Sequence, residues 1–419
     1  MTKALKDRIR QKIVADHGAL FSKGELNFKD FENVAKQILD NIAYNEGLSL
    51  SAEEKNKIIN ELLDEFIGLG PIKKLLEDPS ISEIMVVGPD KVYIERNGKD
   101  EVTNITFENE GHLMQVIFRI LEPTRRRVDE SYPHVDVGLK DGSRVNIIIP
   151  PLALDGPVVT IRKFSKEIKM VDDLIKLDTL DRHMADFLVG CIKAKINIIF
   201  AGPTGAGKTT TLNVLSSYLP EEDRIVTIED TAELHLNQRH VVRLEARQAN
   251  IEGRGEVTIR ELFKNSLHMR PDRIILGEIR GGEALDLLQA ICSGHTGSLA
   301  VIHANAPQEV IYRIETLILT SGLSITQEAI RRQIAVALNL IVQQEQLADG
   351  TRKITHITEI RGLKDGEIIM EDIFTYDIDK VDSKGRVIGK WITSGITPLF
   401  LSKFKKLGIA ISEDIFRKG

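Results

Sequence analysis

Four short apolar runs, at residues 196–200, 225–228, 273–276 and 299–302, are separated by stretches with helical spacing. Runs this short and this apolar suit strands covered on both faces, and their alternation with helices predicts a mostly parallel α/β sheet. The chain ahead of them has a different rhythm. Phe31, Val34, Ile38 and Ile42 recur at helical spacing up to a stop at Gly47. Ser51 and Glu54 then form a capping box that opens a helix carrying Ile58, Ile59, Leu62, Leu63 and Phe66. After the break at Gly68-Leu69-Gly70-Pro71, residues 83–87 and 92–95 are short strands, and Asn97-Gly98 turns into 101–107. A helix at 112–121, a turn at Asp141-Gly142 and strands at 144–149 and 158–164 complete a small α+β domain on an antiparallel sheet. Past about 345, hairpin signals at Asp349-Gly350 and Asp365-Gly366 join alternating segments such as 353–360. A short helix near 399–407 follows Gly395 and Pro398. The division expected is a helical region 1–67, an α+β domain 68–165, a phosphate-binding α/β domain 166–345 and a hairpin and helical extension 346–419.

Composition changes this picture little. A chain of 419 residues is too long for one core, and 42% hydrophobic with 28% charged content is that of a soluble globular protein. A net charge of -6 argues against a broad basic surface for nucleic acid. Cys191 and Cys292 lie far apart, suit a reducing compartment and lack zinc-site spacing. No apolar run approaches the roughly 18–20 residues that span a bilayer. The opening MTKALKDRIRQKIV is charged and has no apolar signal core. A cytosolic protein is expected, with any membrane role depending on a partner.

The first apolar run leads into Gly202-Pro203-Thr204-Gly205-Ala206-Gly207-Lys208-Thr209-Thr210 and then a helix. This fits G-x-x-x-x-G-K-[ST] in the strand–loop–helix setting that gives the pattern meaning. The glycines let the backbone wrap a phosphate, and the helix start supplies unpaired N–H groups and a positive dipole end. Lys208 brings charge to the β- and γ-phosphates, and the Thr209 hydroxyl is placed to hold Mg²⁺. A nucleoside triphosphate is the expected ligand.

Three further stretches stand where predicted strands of the same sheet end, which is where such folds bind ligands. Glu229 and Asp230, followed by Glu233, leave the second run as acids able to order Mg²⁺ or its waters. Glu278 follows the third run as Gly277-Glu278, where many ATPases carry Asp-Glu. It is the candidate to orient the attacking water and complete the magnesium shell. His303 closes the fourth run, where an imidazole can bond a γ-phosphate, and His295 stands ahead of the same run.

These blocks, in this order, resemble the Walker A, Asp box, atypical Walker B and His box of the secretion ATPase superfamily. That group holds the hexameric, GspE-like motors of type II secretion, type IV pili and type IV secretion. The chain is most similar to the CpaF-type ATPases of Tad/Flp pili. This rests on Arg125-Arg126-Arg127-Val128-Asp129-Glu130-Ser131, Asp141-Gly142-Ser143-Arg144-Val145-Asn146 through Pro150-Pro151-Leu152-Ala153, Gly156 to Phe164, Asp372-Ile373-Phe374 and the Gly395…Pro398 tail. The resemblance implies a RecA-like P-loop ATPase domain preceded by a small PAS-like domain whose arginines reach the nucleotide. Arg144 and Arg162 occupy the matching strand positions. It also implies a homohexamer using ATP and Mg²⁺, working with a polytopic inner-membrane platform protein and, through it, pilin-like subunits, at the inner face of the cell membrane. Two separated cysteines do not supply the four-cysteine zinc insertion of the general-secretion branch, so no structural metal is expected. Beside this reading stand a type IV secretion motor for DNA or effector proteins, a RecA-like nucleic-acid translocase, and a slow nucleotide switch.

Overall fold

The structure is a computed structural model. It describes scattered positions before residue 17 and then 28–66, 69–96, 98–124, 126–139, 141–163, 168–247, 249 and 254–417. Gly68, Asn97, Arg125, Phe164 and the side chain of Phe66, all used above, lie outside the described residues. The chain divides into two compact units, one formed by residues up to Lys163 and the other chiefly by those after it.

In the first unit, helix α1 (Phe28–Asn45) packs Phe31, Ala35, Ile38 and Leu39 against Ile58, Ile59, Leu62 and Leu63 of α2 (Ala52–Phe66). The capping box forms: Glu54 N–H donates to Ser51 Oγ at 3.2 Å, and Ser51 N–H to Glu54 Oε2 at 2.9 Å. A six-stranded antiparallel sheet follows in the order β3-β2-β1-β6-β5-β4. Its strands are β1 (Ile81–Val87), β2 (Lys91–Arg96), β3 (Lys99–Val102), β4 (His134–Gly138), β5 (Arg144–Ile148) and β6 (Val158–Arg162). Alternate residues such as Ile84, Val86, Val145, Ile147, Val159 and Ile161 share a core with Leu113, Val116, Ile117 and Ile120 of α3 (Glu110–Leu121). β3 ends earlier than the pattern predicts: Thr103 onward turns back, and Phe107 N–H donates to the Pro89 carbonyl at 2.7 Å. Strand β4 has no counterpart in the sequence reading.

The second unit is built on a nine-stranded sheet ordered β15-β14-β13-β12-β7-β11-β10-β8-β9. Strands β7 (Ile198–Gly202), β8 (Ile225–Glu229), β9 (Val241–Glu245), β10 (Arg273–Leu276), β11 (Leu299–His303) and β12 (Leu340–Gln346) are parallel. β13 (Arg352–Lys364), β14 (Glu367–Val381) and β15 (Val387–Thr393) add antiparallel to β12. Helices cover both faces, so β7 alternates between two cores. Ile198 and Phe200 pack with α4 (Arg182–Lys193) and α5 (Lys208–Ser216). Ile199 and Ala201 pack with α6 (Ile259–Ser266), α7 (Glu283–Cys292), α8 (Pro307–Thr320) and α9 (Gln327–Ala337). On the α4 face, Phe187 meets Phe374, Phe400, Phe404 and Phe416 with ring centroids 5.5–6.4 Å apart. No described helix is long and apolar enough to cross a membrane.

Candidate nucleotide-binding and hydrolysis site

The loop from Pro203 to Gly207 joins the end of β7 to the start of α5. Gly202, Gly205 and Gly207 sit at φ of 154°, 79° and 93°, a region that resists a Cβ. Space demands glycine as well: a Cβ on Gly207 would lie 2.9 Å from Gln344 Nε2, and one on Gly202 would overlap the Gln344 carbonyl. Helix α5 begins after Gly207 with no side-chain cap, so its first amides, including those of Thr209 and Thr210, face the loop with the positive dipole end. Lys208 is buried, and its Nζ donates to the carbonyls of Gly202 at 2.9 Å and Pro203 at 2.7 Å. The same Nζ lies 3.4 Å from His303 Nδ1. Behind the loop, Arg352 Nε donates to the Gly205 carbonyl at 2.8 Å, and Thr211 Oγ1 donates to Gln344 Oε1 at 2.8 Å.

The order β7-β11-β10-β8 brings four carboxyl ends side by side, and with them His303, Glu278 and Glu229. Glu278 Oε1 lies 3.2 Å from His303 Nε2, and its Oε2 lies 2.7 Å from Arg280 Nη2. Arg280 Nη1 in turn donates to Asp230 Oδ2 at 2.6 Å. Burial pushes the Glu278 carboxyl up, but the hydrogen bonds from His303 and Arg280 and their charge outweigh it and hold the group at about 2. Glu229 has the opposite character. Burial raises it to about 7, against the pull of N–H groups from Glu233 and Leu234, both 2.9 Å from Oε1. Its Oε2 is buried without a hydrogen-bond partner. Gly277 makes room for it, because a Cβ there would lie 2.8 Å from Glu229 Cγ.

Two carboxylates of opposite character beside an ammonium, a helix start and a hydroxyl can bind a phosphate chain and order water around it. Thr209, Glu278 and the unpartnered oxygen of Glu229 are the hard oxygen donors Mg²⁺ takes, so the residues fit that cation. A cavity of about 510 Å³ adjoins the loop, lined by Pro203, Thr204, His303, Asn305, Tyr312 and Arg313 among others. His295 stands elsewhere: it precedes β11, at the end opposite His303, and its N–H donates to the Ala290 carbonyl at 3.0 Å.

Arg144 and Arg162 belong to the first unit, directly opposite each other across β5 and β6. Arg144 grips Asp136 with two bonds, Nε at 3.2 Å and Nη2 at 2.6 Å, while Arg162 lies 3.5 Å from Glu83. Sequence reasoning assigned no role to Arg280, Arg352 or Gln344. A lone arginine after a strand carries no spacing signal, and Gln344 and Arg352 gain meaning only once β12 is known to lie beside β7.

A model of the type II/IV secretion system protein family matches residues 65–369. The chain belongs to the type II/IV secretion system protein family. Within it, the chain is 33% identical over 306 residues to a putative conjugal transfer protein of Mycobacterium tuberculosis, covering 72% of this chain and 86% of that one. It is 31% identical over 324 residues to the type IV secretion system protein VirB11 of Brucella suis, covering 70% and 88%. Among solved structures it is similar to the VirB11 ATPase from the Brucella suis type IV secretion system, at 28% identity over 68% of this chain and 94% of that one, with a TM-score of 0.38. In this member of the family, the loop, the two acids and the closing histidine fall on adjacent strands of one sheet.

Proposed function

We propose that the chain is a Mg²⁺-dependent ATP hydrolase acting as a homohexameric motor for assembly or export of pilin-like subunits. It would work from the cytoplasm at an inner-membrane platform protein. The observation that carries the hydrolase reading is Glu278, ionised and held at both oxygens beside the phosphate loop. Lys208 and the backbone N–H groups of residues 204–210 bind the phosphates. Thr209 and Glu278, directly or through water, hold Mg²⁺, whose charge offsets that of the phosphates. Glu278 orients the water, with Glu229 beside it, and His303 meets the γ-phosphate. Arg144 and Arg162 are the candidates to close the site. Glu278→Gln should still bind ATP and turn over at least about tenfold more slowly, a loss of about 1.4 kcal/mol of barrier lowering. Near-normal turnover would remove Glu278 from this role.

The pilin cargo is favoured by the CpaF-like stretches around residues 125–131 and 141–153. A type IV secretion motor is the second reading, favoured by the conjugal transfer and VirB11 relatives. Crosslinking Glu278→Gln with ATP in native membranes and identifying what copurifies separates them. A polytopic platform protein with pilin-like subunits supports the first, and a translocon core or coupling protein supports the second. Nucleic acid alone would leave the motor reading standing and overturn the pilin cargo.

A further inference from the structure

Arg280 bridges the acids that follow β8 and β10. Its Nη1 donates to Asp230 Oδ2 at 2.6 Å, and its Nη2 lies 2.7 Å from Glu278 Oε2. Its backbone is fixed independently. The Glu283 carboxylate, buried at the start of α7, accepts from the N–H groups of Arg280 at 2.6 Å and Gly281 at 2.7 Å. The guanidinium therefore leaves an anchored backbone and spans two strand ends. Glu278 is a flexible side chain with three torsions, and a carboxylate on such a side chain samples several rotamers unless its oxygens are held. His303 holds one oxygen from β11 and Arg280 holds the other, with Asp230 steadying Arg280 from behind.

On the functional reading above, we propose that Arg280 is a positioning residue for hydrolysis. It fixes the Glu278 carboxylate in the orientation that meets the attacking water, and Asp230 anchors it there. The task requires a planar fork whose two nitrogens reach two carboxylates at once; an ammonium carries the charge but bonds from a single nitrogen. Arg280 acts through the Glu278 carboxylate that it holds, so its contribution falls on turnover and not on substrate affinity.

The test uses the purified full chain, steady-state ATP hydrolysis with Mg²⁺, and binding of a fluorescent ATP analogue. Arg280→Ala should lower kcat by about tenfold or more while the analogue's Kd stays within about threefold. Arg280→Lys should recover only a minor part of the loss, and Asp230→Asn should lower kcat in the same direction by less. The decisive arm is the cycle with Glu278→Gln: in that background Arg280→Ala should cause no further fall, because the carboxylate it orients is gone. A merely structural arginine would reduce both backgrounds alike. Should Arg280→Ala misfold, judged by circular dichroism and melting, Arg280→Lys and Asp230→Asn carry the same cycle. Wild-type kcat in Arg280→Ala, or an equal fall in both backgrounds, overturns the proposal and leaves the hydrolase reading intact. A wild-type chain that hydrolyses no ATP overturns that reading and this proposal with it.

Discussion

Glu229 and Glu278 are the same residue type at the ends of neighbouring strands, and their surroundings drive them apart. Glu278 is met by Arg280 and His303, whereas Glu229 is buried with one oxygen unpartnered and titrates near 7. An acid with a raised folded-state pKa supports the fold fully only below its ordinary value of 4.5. That support is lost as pH climbs through about 7, because the unfolded chain gives up the proton first. Glutamine does not titrate, so the melting temperature of Glu229→Gln relative to wild type should rise between pH 5 and pH 8. A difference that stays flat with pH would show that Glu229 is not held protonated. Sequence alone showed two acids leaving two strands. It did not show their different states, which depend on Gly277 opening space against Glu229 and on an arginine arriving beside Glu278. Arg280 stayed unread for a related reason: its partner Asp230 is 50 residues away, and only the adjacency of β8 and β10 joins them.

At the level of elements, the phosphate loop is a joint product of β7 and the strands beside it. Its glycine pattern is legible because positive φ leaves few alternatives to glycine. The outer wall is not, since Gln344 and Arg352 come from β12 and β13, over a hundred residues downstream. Arg352 pins the Gly205 carbonyl outward, which helps keep the loop open toward a phosphate. Arg352→Ala should therefore weaken nucleotide binding by about three- to tenfold, the effect of roughly 1 kcal/mol from one charged hydrogen bond, with kcat at saturation little changed. Titration with a fluorescent nucleotide checks this, and unchanged affinity would make Arg352 a bystander. Gly207→Ala places a Cβ at φ 93° and 2.9 Å from Gln344, so it should lose binding and stability together. Of the strands that escaped the sequence reading, β9 is an edge strand with only partly covered residues and β4 buries only alternate positions, so neither carries a long apolar run. β12 escaped although it is buried. The strand expected over 101–107 stops at Val102, and the chain beyond it turns back to bury Phe107 in the core.

Across the whole molecule, two hydrophobic cores press on opposite faces of the nine-stranded sheet. The apolar runs of its buried strands made the parallel part legible. The antiparallel strands β13 and β14 were legible as hairpins, but nothing local says that they continue the same sheet. The closing residues are equally non-local in effect: Phe400, Phe404 and Phe416 surround Phe187 of α4. Phe404 is fully buried directly over Gly190, so Phe404→Ala should cost about 3–5 kcal/mol in urea unfolding. A loss below about 1 kcal/mol would mean that this aromatic cluster is peripheral to the fold.

Lys208 rests on two carbonyls and within 3.4 Å of an imidazole, all belonging to the chain itself. A phosphate that takes this lysine displaces partners of comparable kind, and the lysine has a place to return to when the phosphate leaves. Under the proposed function, product departure is then an exchange of partners with no stranded charge left behind, and the hold on the spent nucleotide is correspondingly brief.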